Sequence, residues 1–179
     1  MVYVLLGTGF EETEAIAPVD LLRRADVAVQ TVGLNGKIIY GSHRIGVEAD
    51  ITIDEMDLTA LDMLVLPGGL GGVASIKGCE KAVDAIRFAQ ENGKWIGAIC
   101  AAPTILAGLG ILEGKTAVCY PGCEEDMPGV TISDKAAIRD GHIITGTSAG
   151  CATAFGLALI EALKGSGEAA RIAKQIVIR

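Results

Sequence analysis

Cys100 stands at the end of a short apolar run and directly before a segment that is typical of a helix start. Small residues two positions to either side, Ala98 and Ala102, leave the room that a nucleophile needs on a strained strand-to-helix turn. Pro103 suits the first turn of a helix. Because a helix N-terminus stabilises a thiolate, the sequence predicts that Cys100 is a nucleophile with a lowered pKa.

Backbone amides near this turn could stabilise an anion formed at the sulfur. The amide of Ala101 follows Cys100 directly, and Gly68 and Gly69 follow another buried run at residues 63–66. The carboxyl ends of parallel strands meet at one edge of a sheet. Either glycine could therefore supply a second amide.

An acid-rich turn, Gly7-Thr8-Gly9-Phe10-Glu11-Glu12-Thr13-Glu14, begins like a dinucleotide fingerprint. Glu12 occupies the third glycine position and would repel a pyrophosphate, so NAD binding is not expected. Most of these acids would cap a helix, and one could turn inward beside the thiol, where burial would raise its pKa. The spacing leaves the choice open among Glu11, Glu12 and Glu14.

The remaining cysteines and the histidines have simpler interpretations. Without a C-x-x-C pair or clustered histidines, no metal site is expected. His142 is expected in an exposed turn, and His43, in a glycine-rich turn, could border a pocket, although a solvated loop residue is simpler for both. Four cysteines are interpreted as small buried hydrophobic residues, two of which (Cys119 and Cys151) could lie near the site; the four are Cys79, Cys119, Cys123 and Cys151.

Apolar runs alternate with helical patterns along the 179 residues, which indicates one α/β domain, 1–179, with a mostly parallel sheet. Pro18 predicts a kink or break in the first helix. The predicted strands are 2–6, 27–32, 37–40, 45–49, 63–66, 95–99, 115–119, 136–139 and 142–145, and the predicted helices are 11–24, 79–92, 101–109, 148–163 and 166–175.

The net charge of −7 argues against nucleic acid as a main partner and against attraction to an anionic membrane. The uncharged stretch 95–112 has nearly the length of a membrane span, but Pro103 and three glycines interrupt it, so a strand and a buried helix are favoured. An odd number of cysteines and no secretory signal at the start make a reducing cytoplasm the expected location.

Five motifs occur in one order along nearly the whole chain: Gly-Phe-Glu-Glu-Thr-Glu-Ala at 9–15, Pro-Val-Asp-Leu-Leu-Arg-Arg-Ala at 18–25, Val-Leu-Pro-Gly-Gly at 65–69, Ala-Ile-Cys-Ala-Ala-Pro at 98–103 and Ala-Leu-Ile-Glu-Ala-Leu at 158–163. Together they resemble the ThiJ/PfpI superfamily, in its DJ-one branch of parkinsonism-associated deglycases. The resemblance implies a flavodoxin-like three-layer sandwich, related to the class I glutamine amidotransferases, and usually a homodimer.

The resemblance also implies roles for residues. Glu14 matches a protonated carboxyl that is hydrogen-bonded to the cysteine. Cys100 matches the nucleophile, which is also the site of oxidation to sulfinate. Gly69 and Ala101 match the positions whose amides form the anion pocket.

Three further positions border the site in the family. Arg24 matches an arginine near the site at the dimer interface, and His43 falls where some members carry an arginine in the same pocket. The chain departs from the pattern at Tyr120, where several members have a histidine before the proline. A Cys–His dyad is therefore not expected, and Tyr120 could only hydrogen-bond or shape the pocket.

The leading functional hypothesis is a cofactor-free enzyme that processes reactive dicarbonyls or their glycated adducts with a Cys–Glu pair, as a glyoxalase III or deglycase does. The substrate class comes from the resemblance. A second hypothesis is a redox sensor or stress chaperone that works through oxidation of Cys100. Amide or peptide hydrolysis is a third, and it is disfavoured because an amide leaving group needs a good general acid.

Overall fold

The computed structural model describes residues 1–178, and its centre is a seven-stranded sheet. Its strands, in spatial order, are β10 (Ala137–Asp140), β11 (Ile143–Gly146), β7 (Trp95–Ile99), β6 (Met63–Leu66), β1 (Val2–Leu6), β2 (Val29–Gly33) and β5 (Ile51–Thr52). All neighbouring strands run parallel except β10 and β11, which form an antiparallel hairpin at one edge.

Two small two-stranded sheets lie apart from the central one. The strands β3 (Ile38–Tyr40) and β4 (Gly46–Glu48) form an antiparallel hairpin, and β8 (Thr116–Ala117) pairs in parallel with β9 (Thr131–Ile132). The helices are α1 (Glu12–Arg24), α2 (Leu70–Gly78), α3 (Glu80–Glu91), α4 (Pro103–Gly108), α5 (Ala152–Lys164) and α6 (Ser166–Gln175).

The central sheet has a separate hydrophobic core on each face. Alternation along β1 shows why: Val4 and Leu6 join the core under α1, α5 and α6, whereas Leu5 joins the core under α2, α3 and α4. The predicted flavodoxin-like sandwich, a mostly parallel sheet with helices on both faces, is confirmed. Within residues 1–178, every helix is too short or too polar to cross a membrane.

Sequence patterns missed α2 because it begins Leu70-Gly71-Gly72, and glycine is a poor helix former. The reason for glycine there is close packing against the loop that precedes α1. A Cβ at Gly72 would lie 2.7 Å from the Cα of Phe10. Of the predicted kink or break at Pro18, the break does not occur, since α1 continues through this residue.

Candidate active site

Cys100 occupies a strained turn at the carboxyl end of β7. Its φ is +65°, a left-handed conformation that side chains other than glycine rarely adopt. Two backbone hydrogen bonds hold this turn: the Cys100 amide donates to the Gly146 carbonyl at 2.9 Å, and the Tyr120 amide donates to the Cys100 carbonyl at 2.8 Å. The predicted elbow is present, but residues 100–102 form a turn and α4 begins only at Pro103.

The three candidate acids before and in α1 have three different surroundings. Glu11 is the N-cap residue, and its Oε2 accepts from the Glu14 amide at 2.8 Å. Glu12 turns toward the β3–β4 hairpin, where its carboxylate accepts from the amide and from Nδ1 of His43, both at 2.8 Å. Glu14 turns inward beneath Cys100 and is 1% exposed. The geometry thus selects Glu14 as the partner of the thiol.

The surroundings of the Glu14 carboxyl favour its protonated form. Its Oε2 accepts from the Gly68 amide at 2.9 Å, whereas Oε1 is buried and has no hydrogen bond of ordinary geometry within residues 1–178. Burial raises the pKa of Glu14 to about 7, and the negative charge of Glu11 adds to the rise, while the contact with Cys100 opposes it. A neutral carboxyl can donate the hydrogen bond that a thiolate needs.

The Cys100 thiol has a pKa that rises to about 12, first because of burial and then because of the charge of Glu14 and the hydrogen bond to it. The amides of Gly69 and Ala101 point at the sulfur and oppose this rise. The predicted low pKa is therefore wrong for the state in which Glu14 is ionised. Because the negative charge of Glu14 raises the pKa of the thiol, the two groups lose their protons in separate steps, and between these steps the pair carries one negative charge.

The backbone amides of Gly68 and Gly69 contact different side chains, which the sequence did not distinguish. The Gly68 amide serves the Glu14 carboxyl and is not available to an oxyanion at the sulfur. The Gly69 amide, together with that of Ala101, faces Cys100. Two amides therefore remain for an anion that forms on or next to the sulfur.

A cavity of about 260 Å³ opens over Cys100. This is small for a ligand site, so it has room only for a small molecule or for the end of a larger one. Tyr120, half exposed, forms part of its wall, as the sequence allowed. The cavity is lined by Glu11, Gly69, Leu70, Cys100, Ala101, Tyr120 and Cys123.

Sequence reasoning missed Cys123, which it treated as an ordinary buried cysteine. Glu11 and Leu70 also line the cavity, and only Glu11 had been considered. No local sequence signal points to Cys123, because a loop brings it to the cavity wall. Cys119 is buried at 6% exposure and lies outside the lining, as does Cys151.

Both histidines and Arg24 lie away from the sulfur. The side chain of His43 is exposed and lies against Glu12, which raises the pKa of the imidazole; it does not line the cavity. His142 is half-buried, not exposed as predicted, and its Nε2 contacts Oε1 of Gln90 at 2.8 Å. It precedes β11 and so lies at the amino-terminal end of the parallel strands, whereas Cys100 lies at their carboxyl end.

Arg24 ends α1, ten residues after Glu14, which places it about 15 Å along the helix from the site. Its Nε donates to Asp20 at 2.7 Å. The expectation of an arginine near the site is therefore not met within one chain.

One group in residues 1–178 has the spacing of a metal site: ligand atoms of Glu11, Glu12 and His43 lie within 4.8 Å of one another. The Glu12 oxygens already accept from Ser42 and from His43. Burial alone would raise the pKa of Glu12, but these hydrogen bonds outweigh it and lower the pKa to about 2. The cluster thus fastens the β3–β4 hairpin to α1.

Known proteins resemble this chain in both sequence and fold. The model of the DJ-1/PfpI family matches residues 1–162. The chain is 34% identical to protein dj-1beta of Drosophila melanogaster over 178 residues, which cover 98% of this chain and 95% of the relative. It is 33% identical to deglycase PH1704 of Pyrococcus horikoshii over 146 residues, 80% of this chain and 87% of the relative.

A solved structure, the oxidized form of DJ-1 from Toxoplasma gondii, superposes with a TM-score of 0.94 at 30% identity and covers 98% of this chain and 97% of its own. The family model spans most of the chain, and the match covers 95% of the Drosophila relative and 87% of the Pyrococcus relative. This chain belongs to the DJ-1/PfpI family.

Proposed function

We propose that the protein is a cofactor-free enzyme that converts reactive dicarbonyls, or their adducts with amines and thiols, by means of Cys100 and Glu14. One observation carries the proposal. A sulfur on a strained turn is adjacent to a buried carboxyl with a pKa of about 7, and the amides of Gly69 and Ala101 face this sulfur. The deglycase name of the Pyrococcus relative supports the same substrate class.

The chemistry follows from the positions of these groups. The Cys100 sulfur adds to the aldehyde carbon of methylglyoxal, and the resulting alkoxide accepts hydrogen bonds from the Gly69 and Ala101 amides before it is protonated. The product of this step is a hemithioacetal. Glu14 as carboxylate removes the proton from that carbon and returns it to the neighbouring carbon, which gives the thioester of lactate. Water then cleaves the thioester and releases lactate and the thiol.

A carboxyl suits this proton transfer because its pKa is close to neutral pH. An adduct of the same dicarbonyl on an amine or a thiol would enter by the same attack, and water would release the repaired amine or thiol. The small cavity restricts the reacting end of the substrate and leaves the rest outside.

The test is production of lactate from methylglyoxal by the purified full chain. We expect turnover in the natural protein and none in Cys100→Ser, with a loss of at least about a hundredfold in Glu14→Gln because proton transfer is lost. Cys79→Ser is the matched control, since Cys79 caps α3 outside the cavity. Equal turnover by Cys100→Ser and the natural chain would refute the proposal.

A redox sensor is a second candidate, and the two amides that face the sulfur favour it, because they would also hold a sulfinate. The solved Toxoplasma relative is described as oxidized. All five cysteines are free thiols, which fits a reducing compartment such as the cytoplasm. Selective oxidation of Cys100 by dilute peroxide, in a protein without dicarbonyl turnover, would favour sensing.

We also propose that two copies associate. Exposed apolar side chains occur on α1 (Ile16) and on the β3–β4 hairpin (Ile38, Tyr40 and Ile45), which Glu12 fastens to α1. A second copy that covers this face would bury them. Sedimentation velocity should show a dimer, and Ile38→Glu should shift it toward the monomer; a natural chain that is monomeric at high concentration would contradict this.

A further inference from the structure

Two thiols line the cavity over the elbow. Cys100 and Cys123 are both half-buried, and each contributes to the wall of the same 260 Å³ space. The dicarbonyl chemistry of the proposed function uses only the Cys100 thiol, so it assigns no role to Cys123.

A short chain of backbone hydrogen bonds fixes the position of Cys123. The Tyr120 amide donates to the Cys100 carbonyl at 2.8 Å, and the Cys123 amide donates back to the Tyr120 carbonyl at 2.9 Å. Cys123 therefore lies one tight turn after Tyr120, the residue whose amide is hydrogen-bonded to the Cys100 carbonyl. Residues 120–122 and 124–126 around it are exposed, so few packing contacts oppose a small movement of this loop.

The environment of Cys123 differs from that of Cys100. Burial raises the pKa of the Cys123 thiol, and the carboxylates of Asp126 and Glu124 raise it further, while Lys77 opposes them. Within residues 1–178, no backbone amide contributes a hydrogen bond that lowers the pKa of Cys123. Because two backbone amides face the sulfur of Cys100, we expect Cys100 to react first with an incoming electrophile.

We propose that Cys123 is a resolving cysteine: after a hydroperoxide oxidises Cys100 to a sulfenic acid, Cys123 condenses with it to form a Cys100–Cys123 disulfide. In the first step the thiolate sulfur attacks one oxygen of the peroxide, the O–O bond breaks and an S–O bond forms; the other oxygen leaves as hydroxide, or as alkoxide from an alkyl hydroperoxide, and takes up a proton from solvent to give water or the alcohol. In the second step the Cys123 sulfur attacks the Cys100 sulfur, the S–O bond breaks, and the hydroxyl leaves as water with the Cys123 proton.

The consequence is a reversible oxidised state. Sulfenic acid that is not trapped proceeds to sulfinate, which ordinary thiols do not reduce, whereas a disulfide is restored by a dithiol reductant. The inference rests on the reactive Cys100 of the proposed function. The disulfide would protect the Cys100 sulfur from further oxidation to sulfinate. Of the other cysteines in residues 1–178, none lines the cavity: Cys119 is buried, Cys79 caps α3 and Cys151 precedes α5.

The experiment treats the full chain with a small excess of hydrogen peroxide and measures intact mass, followed by peptide mapping without reduction. We expect the natural chain to lose the mass of two hydrogens, to yield a linked Cys100–Cys123 peptide pair and to return to the starting mass with dithiothreitol. Cys123→Ser should instead gain the mass of two oxygens at Cys100. Cys119→Ser, the matched control, should behave as the natural chain does.

A Cys119–Cys123 disulfide, or sulfinate at Cys100 of the natural chain beside a free Cys123 thiol, would overturn the inference. Sulfinate at Cys100 would leave the proposed enzyme intact, because it still shows a reactive sulfur. If Cys100 is modified neither by peroxide nor by iodoacetamide, both the disulfide inference and the proposed enzyme function are refuted. The two failures are thus distinguishable in one set of mass spectra.

Discussion

The Glu14 carboxyl and the Cys100 side chain lie against the same face of Gly68. A Cβ at position 68 would fall 2.5 Å from Glu14 Oε2 and 2.6 Å from Cys100 Cβ. Both contacts are shorter than real Cβ atoms make. The absence of a side chain at Gly68 is therefore what allows the acid and the thiol to approach each other.

Gly68→Ala should separate the pair. We expect lactate production to fall at least about tenfold and the free energy of unfolding to drop by about 2 kcal/mol, because the added methyl overpacks a buried site. Urea denaturation and the methylglyoxal assay measure the two effects. Gly167→Ala is the control, since nothing lies within 4 Å of its added Cβ; an undiminished activity in Gly68→Ala would show that the close approach is unimportant.

Glu14 should make the protein less stable as the pH rises. Its pKa is raised from 4.5 to about 7, so its proton stabilises the fold fully below pH 4.5, and that stabilisation is lost as the pH rises to about 7. The loss amounts to about 3 kcal/mol. Urea unfolding at several pH values should show it in the natural chain and not in Glu14→Gln, and parallel stability curves for the two would contradict the assignment.

The strain at Cys100 should be visible in stability. A left-handed conformation costs a side chain with a Cβ about 1 kcal/mol that glycine does not incur. Cys100→Gly should therefore be more stable than Cys100→Ala by about that amount, although both variants lose activity. At an ordinary position in a helix, such as Ala170 in α6, the order of Gly and Ala is reversed.

Glu12 should stabilise the β3–β4 hairpin. Its oxygens accept from the His43 amide at 2.8 Å and from the Ser42 hydroxyl at 3.2 Å, so Glu12→Gln should cost about 2 kcal/mol. Because its pKa is lowered to about 2, the stabilisation is present above pH 4.5 and is lost as the pH falls toward 2. Urea unfolding at pH 7 and pH 3 tests both statements, with exposed Glu113→Gln as the control; an equal cost at both pH values would contradict the second.

The sequence predicted the sheet, and most of its strands, because buried parallel strands are short apolar runs with clear ends. β1, β6 and β7 were predicted with the bounds that the structure has. It did not predict α2, whose first turn contains glycines required by a neighbouring loop, or the two-residue strands β5 and β9. Those elements depend on contacts between distant segments, and the hydrophobic periodicity of a short stretch of sequence does not reveal such contacts.

The site was predictable to the same extent. The elbow has a local steric signature in small neighbours, so Cys100 was evident from the residues alone. The choice of Glu14 among three acids depends on which way each side chain turns from α1, and the resemblance, not the spacing, supplied it. The thiol pKa and the place of Cys123 depend on burial and on a loop, and neither is a property of a sequence pattern.

The pH dependence of Cys100 alkylation tests the central claim most directly. The rate of iodoacetamide modification, followed by mapping at position 100, should rise around pH 7 in the natural chain as the shared proton leaves the pair, then stay level up to about pH 10. Glu14→Gln should lose the step near 7. A single step near the ordinary thiol value in both proteins, or no modification of Cys100 at all, would contradict the account.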